Sequence, residues 1–532
     1  MASITSIGPA PIVLAGLCAL FAFVLAMRGM PRRSRARGNL SLPPGPVKAP
    51  IIGNLLDVPR SQPWVSYRDW SRKYDSDLVH FSILGKHTVI VNSAHAANEL
   101  YVKRSSRYSD RPPMTAMKLL GLEWPIGIVP YGSTWRLVRR LFHEETRPEV
   151  YATYESYREK AVHAFLLTLI TQPQDFKMNI KHLAGRILMR AAYGFDIRSQ
   201  DDPYIEIAEK TLGAANVAAS FSGIVLDLIP ILKYMPTWFP GAGFKRYASK
   251  TRPEVSRAVL DKPWAVVAAA KRGDLNGSEG SSVAGNLLDK YGDDSSLHEV
   301  LKTVPATVYL AGVETTVSSL LFFFMAMALY PDVQKKAQHE LDSVLCGALP
   351  TLVDRTRLPY TTALVSEVFR WHPAVPLGIP HSVTEDDIYE DMRIPGGCMV
   401  IGNIWAITHD PDQFPRPETF NPAHFISTTD GGMYSLDDSK TYGSQGTPFP
   451  DDAFGFGRRL CPGRDIGVSS IWLIIASVLC TFDISQVKDE SGREVPISDS
   501  CTDGLISYPG PYECSIRPRK EVNVENLVSR SD

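Results

Sequence analysis

Apolar residues run from Pro11 to Met27, and no charged side chain precedes Arg28. With its flanks this run reaches about 20 residues, the length of a helix crossing roughly 30 Å of hydrocarbon. Arg28, Arg32, Arg33, Arg35 and Arg37 crowd its carboxyl side, whereas the amino-terminal flank holds no Lys or Arg. The positive-inside rule then predicts a signal anchor over residues 1–30 in place of a cleaved signal peptide, leaving the rest of the chain in the cytosol. Leu42-Pro-Pro-Gly-Pro46 predicts a stiff polyproline-like spacer within a basic and proline-rich hinge over residues 31–50. Between Leu78 and Asn92 apolar and polar residues alternate around Gly85-Lys86, which predicts a two-stranded hairpin. Phe221 to Pro240 is apolar and aromatic but interrupted by three prolines, so it predicts short helices and no span. Lys271 to Ser295, rich in Gly, Ser and Asp, predicts a surface connection. Ser296 and Glu299 fit a capping box that opens a helical pattern reaching Tyr330, roughly 50 Å at 1.5 Å per residue. A helix of that length is expected to cross the core. Residues 426–451 are polar and predict a mobile loop.

At 532 residues the chain exceeds the usual size of one domain, but no internal repeat or Gly/Ser linker divides it. One large domain over residues 51–532 is expected. The net charge of −1 gives no reason to expect a nucleic-acid partner. Seven cysteines without paired spacing argue against a disulfide framework and for a reducing compartment.

The chemistry concentrates near the end of the chain. Phe454-Gly-Phe-Gly457-Arg-Arg459-Leu-Cys461-Pro-Gly463 places a cysteine in a glycine-punctuated loop before a long apolar helix. A cysteine serves an iron as thiolate, which a helix N-terminus favours through its N–H groups and dipole. Gly457 and Gly463 are read as letting the backbone approach a flat cofactor and adopt positive φ, and Arg459 as neutralising one of its carboxylates. Trp135 and Arg139, four apart on one helix face, suit the same carboxylates, with Arg136 and Arg140 turned elsewhere as a cationic docking face. Ala311-Gly312-Val-Glu314-Thr315-Thr316 puts an acid beside an alcohol whose hydroxyl can bond back to a preceding carbonyl and loosen the helix. Glu367 and Arg370 share a helix face.

These motifs resemble those of the cytochrome P-450 family. The five positions Phe454, Gly457, Arg459, Cys461 and Gly463 match its haem-binding signature without a substitution, and the other motifs follow its order along nearly the whole chain from the hinge onward. Leu42 to Pro46, the run from Tyr108 to Pro113 and the stretch KYMPTWFPG look most like fungal members that oxidise secondary metabolites. The resemblance implies a mainly α fold with a small β region behind an N-terminal transmembrane helix. It also implies haem b with Cys461 as axial ligand, propionate contacts from Trp135, Arg139 and His381, and Glu314 and Thr315 as a proton relay. Electrons from NADPH through a cytochrome reductase, with cytochrome b5 as a further candidate donor, would activate O2. One oxygen atom would enter a lipophilic substrate such as a terpenoid or aromatic polyketide. Endoplasmic reticulum membrane, single-pass and with a cytosolic catalytic domain, is the implied location, and Phe221 to Pro240 the implied membrane-dipping lid. A haem-thiolate isomerase or dehydratase would need no reductase, and a haem sensor no proton relay; a xenobiotic-oxidising monooxygenase is a third alternative. Glu314 and Thr315 favour the monooxygenase. One departure stands out: His424 occupies the place where the family usually carries an arginine completing the Glu367–Arg370 pair.

Overall fold

The computed structural model describes residues 40–197, 202–219, 223, 226–227, 229–238, 243–274, 281–428, 434–436 and 450–519, so the anchor and the hinge up to residue 39 lie outside it. Strands β1 (Leu78–Ile83) and β2 (Lys86–Val91) form the expected hairpin. Its turn falls one residue early, on Leu84 and Gly85, whose φ of 49° and 81° gives the backbone the twist a two-residue connection needs. The proline-rich run, expected as a spacer, is docked along β1. The His80 N–H donates to the Pro44 carbonyl at 2.8 Å, and a Cβ on Gly45 would stand 1.8 Å from the His80 carbonyl oxygen.

The helices that shape the site follow. They are α1 (Ser133–Thr146), α2 (Phe176–Tyr193), α3 (Pro203–Ala219), α4 (Val283–Tyr291), α5 (His298–Leu329), α6 (Pro359–Trp371) and α7 (Arg464–Thr481). The short strands are β3 (His381–Ser382), β4 (Asp387–Tyr389), β5 (Met392–Ile394), β6 (Met399–Gly402), β7 (Ile426–Thr428), β8 (Tyr434–Leu436), β9 (Phe482–Gln486) and β10 (Cys514–Pro518). One sheet runs in the order β1-β2-β6-β3, with β2 parallel to β6, and the remaining strands pair in twos. The fold is mainly α with a small β region, as expected.

Helix α5 is apolar on nearly every face because α2, α4 and α7 surround it, and its residues from Val317 to Ala328 are all buried. Both α5 and α7 are long and apolar enough to cross a membrane, but they are mostly buried inside the fold and serve as its core.

Three local expectations change. The capping box does not form: α5 starts at His298, and Ser296 turns its hydroxyl and N–H onto the Asp294 carboxylate. The Lys271–Ser295 connection contains α4, which Ser282 caps by accepting the Gly285 N–H, and which buries Val283, Ala284 and Leu287 on one face. The loop expected over 426–451 begins as the β7–β8 pair; 429–433 and 437–449 lie outside the described residues.

Candidate active site

The cysteine loop closes on itself through the Cys461 N–H, which donates to the Phe454 carbonyl at 2.9 Å. Phe454 packs its ring 5.2 Å from that of Phe369 on α6. Gly457 has φ 54°, as expected, but a Cβ there would meet the Tyr101 carbonyl oxygen at 2.1 Å. Its bareness therefore admits neighbouring backbone, not the cofactor. Gly463 departs from expectation in its φ of −92°, an ordinary helix-entry value; it lines a cavity, and a Cβ would meet nothing within 4 Å. Burial pushes the Cys461 thiol up, against the pull of the Gly463 N–H and of Arg139 and Arg464. A thiol so placed gives up its proton readily to a metal ion that takes the charge.

The cavity measures about 400 Å³ and lies between Cys461–Gly463 and the stretch of α5 that carries Ala311, Gly312, Thr315 and Thr316. Apolar side chains such as Met117, Ile126, Leu212, Leu377 and Ile506 supply most of the remaining wall. Among the described residues no group of three or more His, Cys, Asp or Glu side chains gathers to hold a bare ion.

Along one edge of the cavity the buried Arg111 and Arg459 stand with His381, whereas Trp135 and Arg139, expected at the same edge, do not themselves line the cavity. Arg459 donates to the carbonyls of Ser109, Ile126 and Val129 at 2.8, 3.1 and 2.9 Å, and its guanidinium lies 4.7 Å from the centre of the Trp135 ring. Arg111 donates to Gly127, Ile379 and Pro380 carbonyls, and burial beside Arg459 holds it well below the usual guanidinium range. Burial likewise brings Arg459 down to about 10. Asp110, the carboxylate that acts on both, has its Oδ1 occupied by the N–H groups of Arg111 and Tyr131. Arg139 braces the cysteine loop through the Leu460 carbonyl at 2.7 Å. His381 donates from Nδ1 to the Tyr108 carbonyl at 2.6 Å, so contact with a carboxylate would need a second proton on Nε2. The Trp135 indole N–H is buried and has no acceptor.

An orphaned donor and under-neutralised buried guanidiniums are costly unless an anion arrives. A buried thiol, open space at Gly463 and that cation edge fit an iron porphyrin with two carboxylates. Cys461 could hold its iron, and Trp135, Arg139, Arg459, His381 and Arg111 its propionates. Arg111 was not singled out from sequence; the signal was its place in the Tyr108–Pro113 run, whose fold partners lie far away. A Trp135→Phe variant is expected to fold at least as well without haem, since it removes an unpaired donor, yet to release haem to apomyoglobin about tenfold faster. An unchanged release rate would show that this N–H never meets the cofactor.

Across the cavity the Thr315 hydroxyl donates to the Ala311 carbonyl at 2.8 Å, the back-bond expected of the motif. Thr316 also lines the cavity. Gly312 faces Leu188 of α2, whose Cδ1 would stand 2.8 Å from an added Cβ, so the glycine also lets α2 approach. Glu314 is not on the cavity wall. It is 5% exposed and its carboxylate accepts from the Tyr508 hydroxyl, so the acid lies behind the wall that the alcohol faces.

Glu367 and Arg370 form the expected ion pair, both wholly buried, with two guanidinium N–H bonds of 2.7 Å. His424 completes the network. Its Nδ1 lies 3.0 Å from Glu367 Oε1 and its Nε2 2.9 Å from the Pro415 carbonyl, while the Asn421 N–H donates to the same carboxylate.

The cytochrome P-450 family model matches residues 43–514. A cytochrome P-450 monooxygenase of Armillaria gallica is 38% identical over 93% of this chain and 95% of its own length. One from Rhodocybe pseudopiperita is 38% identical over 90% of each chain, and one from Coprinopsis cinerea 36% identical over 92% of this chain and 93% of its own.

Proposed function

This chain belongs to the cytochrome P-450 family, and we propose that it acts as a membrane-anchored monooxygenase that inserts one atom of O2 into a lipophilic secondary metabolite, of terpenoid or aromatic polyketide class. It is a haem-thiolate monooxygenase by family. The observation that carries the finer reading is the cavity held between the Cys461 thiol and the Thr315 hydroxyl, whose wall away from the Arg111 and Arg459 edge is built mostly of apolar side chains that suit a hydrophobic molecule.

When bound, haem supplies the reductive activation of dioxygen. The protein's part is to hold, exclude and deliver. Cys461 would hold the iron, and Trp135, Arg139 and Arg459 would hold the propionates. Apolar walls exclude bulk water, and Thr315 offers a hydroxyl that holds and passes a proton at the cavity face of α5. Its bond to Ala311 fixes which way that hydroxyl points.

Residues 1–30 would anchor the protein in the endoplasmic reticulum membrane, with 31–50 as hinge and 51–532 as cytosolic catalytic domain. Exposed Ile231, Tyr234 and Trp238 supply a second apolar contact with the membrane interface. Arg136 and Arg140 face outward from α1 and suit the acidic docking surface of an NADPH-cytochrome reductase, or of cytochrome b5.

The test is proton delivery. Thr315→Ala should bind substrate and consume NADPH with the reductase, while product per NADPH falls severalfold or more and hydrogen peroxide rises in step. Thr316→Ala, which keeps the Thr315 hydroxyl and its bond to the Ala311 carbonyl, should uncouple much less. Equal uncoupling in both, or full coupling in Thr315→Ala, would move the proton path elsewhere.

A further inference from the structure

Glu314 precedes Thr315 on α5, but its carboxyl lies behind the cavity wall and is held by the hydroxyl of Tyr508, 194 residues along the chain. The charged and titratable groups that face it come from three other elements and its own. Lys181 on α2 and Glu209 on α3 pair with each other at the surface and act on the carboxyl from the solvent side. Tyr309 lies on α5 itself, and Tyr508 comes from the C-terminal loop. Burial raises the Glu314 carboxyl above its ordinary range, the Tyr508 bond opposing it. Burial and the Glu314 charge hold the Tyr508 phenol far above its own range, so it donates without ionising.

The loop that presents Tyr508 is tied down at several points. Thr502 N–H donates to the Tyr508 carbonyl at 2.8 Å and the Tyr508 N–H to Thr502 Oγ1 at 3.0 Å. Ser318 of α5 donates its hydroxyl to the Ser507 carbonyl at 2.5 Å, and the Leu505 N–H donates to Asn216 of α3 at 3.1 Å. Leu505 and Ile506 of the same loop line the cavity. The phenol is thus clamped to the helix whose acid it grips.

We propose that Tyr508 is the positioning residue of Glu314: its hydroxyl parks the carboxyl facing the Lys181–Glu209 pair, where solvent reprotonates it, and lets it go to pass that proton towards the Thr315 hydroxyl. The proposal rests on the monooxygenase reading of Glu314 and Thr315. The balance is one proton: the carboxylic acid loses it on the cavity side and the carboxylate regains it from water at the surface pair. A donor on the carboxylate favours the charged form, so deleting the phenol hydroxyl raises the pH at which Glu314 ionises, by about one to two units for a bond to a charged group. Coupling that needs the protonated acid falls as pH rises through that point, so its alkaline limb must shift upward with it.

The experiment uses the haem-loaded full chain. Infrared titration of the ferric enzyme identifies the Glu314 carboxyl band as the one that Glu314→Gln removes, and product per NADPH is measured against pH with the reductase. Tyr508→Phe is expected to raise both the band's midpoint and the alkaline limb by one to two units. In the unsubstituted enzyme a tyrosine ring band should titrate at the same midpoint and vanish in Glu314→Gln, a reading that does not depend on the variant's folding. An unmoved midpoint in Tyr508→Phe, or a tyrosine band that titrates independently, overturns the proposal. Unchanged coupling in Glu314→Gln overturns instead the relay reading of Glu314, while the infrared midpoint still judges the contact.

Discussion

Cys461→Ser is expected to abolish the red-shifted Soret band of the ferrous carbon monoxide complex and to reduce product formation to background. The physical reason is the donor atom. A thiolate is a strong, polarisable donor, whereas a serine hydroxyl stays protonated at neutral pH and is a poor iron ligand. The surroundings are built for the sulfur: the Gly463 N–H and the charges of Arg139 and Arg464 favour the anion that burial opposes. The other described cysteines do not line this cavity, so none can take over. The measurement is the carbon monoxide difference spectrum of haem-loaded variant, with haem counted independently. A variant that holds haem and keeps the band would place the iron ligand elsewhere.

Arg370→Leu is expected to cost more stability than any other single change considered, about 3–5 kcal/mol, because it strands the Glu367 charge in a site with no exposure to water. That is a large share of the 5–15 kcal/mol that typically separates folded from unfolded protein. Arg370 also donates to the carbonyls of Thr408 at 3.0 Å and Thr419 at 3.3 Å, so the loop leading to His424 loses its tether as well. His424→Ala should be milder, about 1–3 kcal/mol, since Arg370 and the Asn421 N–H still satisfy the carboxylate. Thermal release of haem, followed by absorbance, should rank Arg370→Leu first, His424→Ala second and the unsubstituted enzyme last. A His424→Ala protein that keeps its haem as well as the parent would mean the imidazole only fills space there.

What sequence alone determined about this protein was whatever a short window can encode. The cysteine loop, the acid and alcohol on a helix, the Glu367–Arg370 pair three apart and the hairpin at 78–92 are all local patterns, set by backbone periodicity and by side chains within one turn of each other. They sufficed for the family and for the mainly α fold with its small β region. Local signals failed where a competing neighbour was equally local, as when Asp294 captured Ser296 and cancelled the capping box. Only the tertiary structure decided the rest, because it depends on which distant segments are brought together. Gly457 must be bare on account of Tyr101, and Arg459 reaches back 350 residues to Ser109. Arg111 joins the cation edge through carbonyls at 379 and 380, and Glu314 turns from Thr315 to Tyr508. A buried donor or charge takes whichever partner the packed chain leaves within reach, since going without costs it more than the bond itself is worth. That partner is chosen by the path of the backbone, which no window of neighbouring residues contains.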